Sequence, residues 1–256
     1  METQPRVNSF NLGRIFVFLY GVISYIIFLV TFVYALGFVG NIIVPKSIDS
    51  AAQISFLPAL LIDILLLGIF ALQHSVMARK EFKNWWTKLI PQPIERSTYV
   101  LFSSLALLLL FWQWQPLGGV IWNINNLWGQ IILLSLFGLG WLIVLVSTFL
   151  INHFDLFGLR QVYLYLQGKN YTYLEFKTPA FYKYVRHPLY VGWLLAFWLT
   201  PKMTVTHLLF AIMTTLYILI AIQLEETDLL EIHGETYEKY RREVPMLIPF
   251  FRNKLS

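Results

Sequence analysis

The stretch LWGQIILLSLFGLGWLIVLVSTFLI, residues 127–151, contains no charged side chain. It is long enough to cross a bilayer as a helix, which takes roughly 20 predominantly apolar residues. Three more long runs of this kind precede it, at about Ile15–Val39, Ser55–Met77 and Thr98–Trp114. A fifth run, Leu189–Thr200, is too short to cross unaided and stops at Pro201, and a sixth covers about Met203–Leu224. The chain of 256 residues is 57% hydrophobic and 13% charged, against about 25% charged in an average soluble domain. These features predict an all-α integral membrane protein with four long transmembrane helices plus a C-terminal helical hairpin, five to six membrane segments in all. No polar stretch is long enough to build a separate soluble domain. The polar start Met1–Asn11 lacks the small-residue cleavage site of a signal peptide, so the first run is expected to stay as a helix.

Lysine and arginine positions predict the orientation. Arg6 and Arg14 precede or open the first run. Arg79, Lys80, Lys83, Lys88 and Arg96 fall between the second and third runs, and Arg160, Lys169, Lys177, Lys183 and Arg186 between the fourth and fifth. Lys239, Arg241, Arg242, Arg252 and Lys254 lie in the tail. Of 19 such residues only Lys46 and Lys202 fall on the opposite side, and the loop Gln115–Asn126 is uncharged. Because positive loops stay cytoplasmic, both termini are expected in the cytoplasm, with the inner membrane of a bacterium as the expected location. The net charge of +5 then follows from topology, and nucleic acid is not an expected partner. The absence of cysteine excludes disulfides, thiolate ligands and cysteine nucleophiles. No two histidines have the i, i+4 spacing of helical metal motifs, and no metal is expected.

One region does not fit a purely structural reading. Arg186-His187-Pro188-Leu189-Tyr190-Val191-Gly192 opens the fifth run, and Glu225-Glu226 closes the sixth. Ionisable groups at a membrane boundary cost free energy and mark functional sites. Gly234 is placed to cap one helical piece and start another, in which Tyr237, Tyr240 and Val244 share a face. An amphipathic surface helix would account for those tyrosines, but not for the glutamate pair. The aromatic segment 152–187 is expected to fold against the membrane face as a short interfacial helix and lid. The chain therefore divides into a four-helix region (1–151), an aromatic connector (152–187) and a hairpin with its tail (188–256), all within a single membrane domain.

The succession RHPLYVG (186–192), LEETDLL (224–230) and HGETYEKYRREVPMLIP (233–249) resembles the isoprenylcysteine carboxyl methyltransferase superfamily of membrane enzymes. His233 stands where phenylalanine is commoner. That resemblance implies S-adenosylmethionine bound from the cytoplasm, in a fold unlike the soluble doubly wound methyltransferases. The residue chemistry agrees with it. Carboxylates and aromatic faces suit the sulfonium and ammonium of that molecule, and arginine suits its carboxylate. The residues expected to bind it are Tyr184, Arg186, His187, Pro188, Tyr190, Gly192, Gln223, Glu225, Glu226, Tyr237 and Tyr240.

Earlier segments narrow the resemblance. QHSVMARKEFK (73–83) and NHFDLFGLRQ (152–161), with RHPLYVGWLLAFWLTP (186–201), are similar to the methanethiol S-methyltransferase group and extend the likeness over nearly the whole chain. That group implies methyl transfer from the sulfonium to a small thiol, giving dimethyl sulfide. Deprotonating a thiol at neutral pH needs a base or a nearby cation. His74 is the first candidate, with Arg186 and Tyr190 as alternatives and Asp63 on the same helix face as His74. His153 and Asp155 are read as structural or lid residues, and His207 as remote. Two alternatives stay open at this point. One is methylation of a prenylcysteine carboxylate or phospholipid, and the other is a non-enzymatic transport or accessory protein.

Overall fold

The computed structural model describes residues 12–249. The segment Met1–Asn11 with Arg6, and the end of the tail with Arg252 and Lys254, lie outside the described residues. Five helices are long and apolar enough to cross a membrane: α1 (Leu12–Gly40), α2 (Phe56–Ala78), α4 (Glu95–Gln113, extended by a turn at Gln92–Ile94), α5 (Leu127–Ile151) and α9 (Val205–His233). The chain is an integral membrane protein. Many leucine and isoleucine side chains along these helices point outward, among them Leu19, Leu65, Ile132 and Ile220. In water this exposure would be costly, whereas against lipid tails it is neutral. Trp112 and Trp128 stand exposed near one end of the bundle and Trp85 near the other, as in the aromatic belts of bilayer interfaces.

The C-terminal hairpin is asymmetric. Its first arm, α8 (Pro188–Trp198), is short, while α9 does not stop with the apolar run at Leu224 but continues through both glutamates to His233. It can do so because Glu226 and Asp228 find partners on neighbouring elements. The short arm lies against α5 at a contact of two glycines. A Cβ on Gly140 would come within 2.7 Å of the Gly192 carbonyl oxygen and the Ala196 nitrogen, and one on Gly192 within 2.7 Å of the Gly140 carbonyl oxygen. Small residues allow such backbone approach between membrane helices.

At the end that holds the loops 41–55, 115–126 and 199–204, an aromatic core forms around Phe38, Phe111, Trp114, Phe137, Phe197 and Phe210. A two-stranded antiparallel pair, β1 (Val120–Asn123) with β2 (Lys202–Thr204), closes this end. That short pairing is a small addition to the expected helical fold and satisfies backbone groups of two loops that have no helix to join. His207 sits fully buried here, its Nε2 3.0 Å from the Phe197 carbonyl oxygen. Asp63 is also tied here, accepting from the Gln115 backbone N–H at 2.8 Å. It therefore belongs to the loop contact at this end and does not support His74.

The other end holds α3 (Lys80–Trp86), α6 (His153–Leu156), α7 (Leu159–Leu166) and α10 (Glu235–Glu243). Substituting Gly192 with leucine should separate α8 from α5, since the obstructing atoms are backbone. We expect a fall in melting temperature in detergent equivalent to about 1–3 kcal/mol, followed by tryptophan fluorescence, whereas Gly138→Leu, which has open space around its Cβ, should leave it unchanged.

Candidate active site

Pro188 ends the extended pair Arg186-His187 and occupies the first position of α8, where its missing N–H costs nothing. Tyr190 follows within the first turn. Gly234, with φ of 52°, turns the chain out of α9 and into α10, so that the tail runs back over the start of α8. Backbone bonds stitch the two together: Arg186 N–H donates to the Pro245 carbonyl at 2.9 Å and His187 N–H to that of Met246 at 3.2 Å. Tyr240 hydroxyl adds a bond to the Tyr182 carbonyl at 2.6 Å.

Charge is concentrated at this seam. Glu226 Oε1 accepts from Arg186 Nε at 2.7 Å and lies 2.9 Å from His187 Nε2. Arg186 Nη1 donates to the carbonyls of Arg241 and Val244 at 2.9 and 2.6 Å. Glu226 and His187 are buried, at 7% and 5% side-chain exposure, whereas Glu225 is 46% exposed. The two glutamates thus differ in role. Glu226 Oε1 is shared by two internal partners, while Glu225 accepts from Tyr190 hydroxyl at 3.1 Å, lies 3.8 Å from His187 Nδ1 and keeps an open face.

Aromatic rings surround the seam. Phe176, from the connector, meets the rings of His233, Tyr237 and Tyr240 at centroid distances of 5.0, 5.7 and 5.6 Å. Burial raises the pKa of Tyr240 to about 12, against the opposing effect of Arg186, and burial also raises that of Tyr237. Both hydroxyls therefore remain protonated donors at neutral pH. Tyr237 is 1% exposed, and its hydroxyl has no partner among the described residues. A buried donor left without an acceptor costs about 1–3 kcal/mol, which suits a site completed by a polar ligand. The donor set fits S-adenosylmethionine at its cationic end: an open carboxylate, tyrosine faces and a spare hydroxyl.

The residues expected from sequence separate into groups. Arg186, His187, Tyr190, Glu225 and Glu226 are brought together, with Tyr237 and Tyr240 beside them. Pro188 shapes the turn, and Gly192 faces α5 instead of the cluster. Tyr184 and Gln223 are exposed, and their side chains make no hydrogen bond among the described residues. His74 stands apart on α2, its Nδ1 3.0 Å from Ser103 Oγ, with the Tyr99 hydroxyl 2.8 Å from Nε2 and 3.1 Å from Nδ1. Sequence reading passed over Tyr99, Ser103 and Tyr217, and took Phe176 only as one aromatic of the 152–187 connector. The signal available was polar groups at i, i+4 spacing (Tyr99 and Ser103) within an otherwise apolar run. His153 is buried between Tyr25 and Thr148, at 2.7 and 2.8 Å. Asp155 fastens the connector by accepting from Arg160 at 2.9 Å and Tyr171 at 3.2 Å.

Among known proteins, the chain is 70% identical over 254 residues to a methanethiol S-methyltransferase of Crocosphaera subtropica, covering 99% of this chain and 100% of the relative. It is 54% identical over 237 residues to the methanethiol S-methyltransferase of Mycobacterium tuberculosis, covering 93% and 97%. The chain belongs to the methanethiol S-methyltransferase family. A more distant likeness, 30% identity over 194 residues covering 72% of this chain and 73% of the relative, is to Nurim of Mus musculus, and the placement in the isoprenylcysteine methyltransferase-like membrane superfamily holds. No family model and no solved structure matches the chain.

The seam implies a clear consequence for the family's fold. Glu226→Ala removes the partner of a buried guanidinium and a buried imidazole together, and truncating one side of such a group costs about 3–5 kcal/mol. Glu225→Ala, at a half-exposed position, should cost under about 1 kcal/mol. Thermal unfolding of the two variants in one detergent should rank them in that order.

Proposed function

We propose that this chain methylates methanethiol to dimethyl sulfide, using S-adenosylmethionine bound at the cytoplasmic end of the bundle. The single observation that carries the reading is the half-exposed Glu225 carboxylate held by Tyr190 beside the Arg186–His187–Glu226 cluster, on a chain whose relatives bear the name methanethiol S-methyltransferase. The bound cofactor supplies an electrophilic methyl on a sulfonium. Glu225 and the tyrosine faces hold its cationic end by charge and cation–π attraction. His187 and Glu226 fix the walls, and Arg186 holds the tail in place through Nε and Nη1, its Nη2 being the group that would take the cofactor's carboxylate.

The reaction joins an anion and a cation and ends in neutral products, so a dry site favours it. Phe176 and the rest of the 152–187 connector exclude water from above, and the hairpin and tail (188–256) form the cofactor side. Methanethiol enters an apolar space among the helices of the 1–151 region. The proton it must lose ends on His74. Arg186 and Tyr190 act as further positive and hydrogen-bonding groups near the sulfur. A ligand of two heavy atoms gains at most about 3 kcal/mol from contact, so activation of the sulfur dominates over grip. Both termini lie in the cytoplasm, with the protein in the bacterial inner membrane, because nearly all lysines and arginines sit in loops of one side.

Purified protein given methyl-labelled S-adenosylmethionine and methanethiol should release labelled dimethyl sulfide into the headspace, and none would overturn the reading. Glu225→Gln should weaken cofactor binding about tenfold or more by calorimetry, equal to about 1.4 kcal/mol. His74→Ala should instead lower turnover far more than cofactor affinity, with partial recovery at high pH, where thiolate already exists in solution.

A further inference from the structure

The segment 79–88 carries Arg79, Lys80, Lys83 and Lys88 against the single acid Glu81. Lys80 and Lys88 face outward together with Trp85 and Leu89, as expected of a stretch lying along a bilayer interface. Arg79, Lys83 and Trp86 turn the other way and are half-buried. They follow one another at i, i+4 and i+7 and so share one face, with the register set by the Lys83 N–H donating to the Arg79 carbonyl at 3.0 Å. Beside this face Phe82 packs against Tyr99 of α4, and the Arg96 guanidinium lies over the Tyr99 ring at 4.9 Å. Asp228 of α9 fixes Arg79 from the opposite side at 3.2 Å.

Three nitrogen donors on this face lack acceptors. Arg79 Nε and Trp86 Nε1 are buried and have no partner among the described residues. The Lys83 amine makes no hydrogen bond or ion pair among them either. Burial, and then the Arg96 guanidinium, push its pKa below the ordinary lysine value, with Glu95 and Asp228 acting the other way. Buried donors without acceptors are costly, and one bound anion would satisfy all three. We propose that this face of α3 holds the phosphate of an anionic phospholipid from the adjoining leaflet. A phosphodiester suits the donors because its oxygens accept charge-assisted bonds from arginine and lysine alike. The source is a lipid because the outer side of the same short helix presents Trp85 and Leu89, next to which acyl chains would lie. A headgroup bearing its own amine would set a cation against Arg79, Lys83 and Arg96, so an anionic headgroup is selected. Asp228 stands one turn beyond Glu225 on α9, and the lipid-bound Arg79 thereby braces that helix beside the open carboxylate. The site is independent of which methyl acceptor the protein uses.

The test titrates the full-length protein, in a neutral detergent at about 0.15 M salt so that diffuse surface attraction is screened. Phosphatidylglycerol and phosphatidylcholine with the same acyl chains are compared with inorganic phosphate. Phosphatidylglycerol should raise the melting temperature in a saturable way, and native mass spectrometry should show it retained on the chain after detergent removal. Phosphatidylcholine and inorganic phosphate should do neither. Lys83→Gln should weaken the phosphatidylglycerol effect about tenfold, and Lys83→Arg, which keeps the cation, should largely restore it. Trp86→Phe keeps the ring against Phe82, loses the N–H and should weaken it about fivefold. Lys88→Gln, on the exposed side, should change it about twofold at most. Equal losses for Lys83→Gln and Lys88→Gln overturn the proposal, since they would mark diffuse charge alone. Equal protection by phosphatidylcholine, or by inorganic phosphate, overturns the anionic lipid as occupant. The comparison of the three ligands on the parent chain decides the matter even where a variant does not fold.

Discussion

The rest of the candidate site hangs on the carboxylate of Glu226. An ionised group at a membrane boundary is tolerated only when saturated by partners, and Glu226 finds its partners on a segment far from it in sequence: Arg186 and His187. The guanidinium in turn reaches the carbonyls of Arg241 and Val244. One charge interaction therefore joins the end of α9, the entrance of α8 and the tail. Without it, the tail would be held over the site, among the described residues, by two backbone bonds, the Tyr240 contact and the Phe176 ring contacts.

That constraint explains why two adjacent glutamates behave so differently. On a helix, neighbouring side chains point about 100° apart, so one faces the seam and the other faces the opening. Glu226 completes the protein's own structure. Glu225 is left with Tyr190 and His187 beside it and an open side. Tyr237 completes the contrast, since its buried hydroxyl has nothing to bond among the described residues.

A second layer of design is visible in the helix contacts. The glycine pair Gly140 and Gly192 lets α8 lie directly on α5, which fixes the depth at which Arg186 and His187 emerge. Across the bundle, α2 and α4 are joined by His74 with Tyr99 and Ser103, a polar contact inside apolar helices. The connector is held down by Asp155, which engages Arg160 and Tyr171, and so Phe176 stays over the tyrosines of α10.

The membrane class was legible from sequence because bilayer thickness translates directly into run length, and α5 begins and ends where the apolar run Leu127–Ile151 does. The cluster Arg186, His187, Tyr190, Glu225, Glu226 was also legible, since charge beside apolar helices has few structural uses. What sequence did not reveal depends on pairings between distant segments. Gly192 looks like part of the RHPLYVG motif, but its neighbour across α5 makes it a packing residue. Asp63 and His74 share a helix face, yet the Gln115 loop claims Asp63. Tyr99 carries only a faint local signal, a polar group one turn from Ser103 in an apolar run, because a tyrosine in an apolar helix reads as packing. Only the approach of α4 to α2 sets its hydroxyl against the His74 ring.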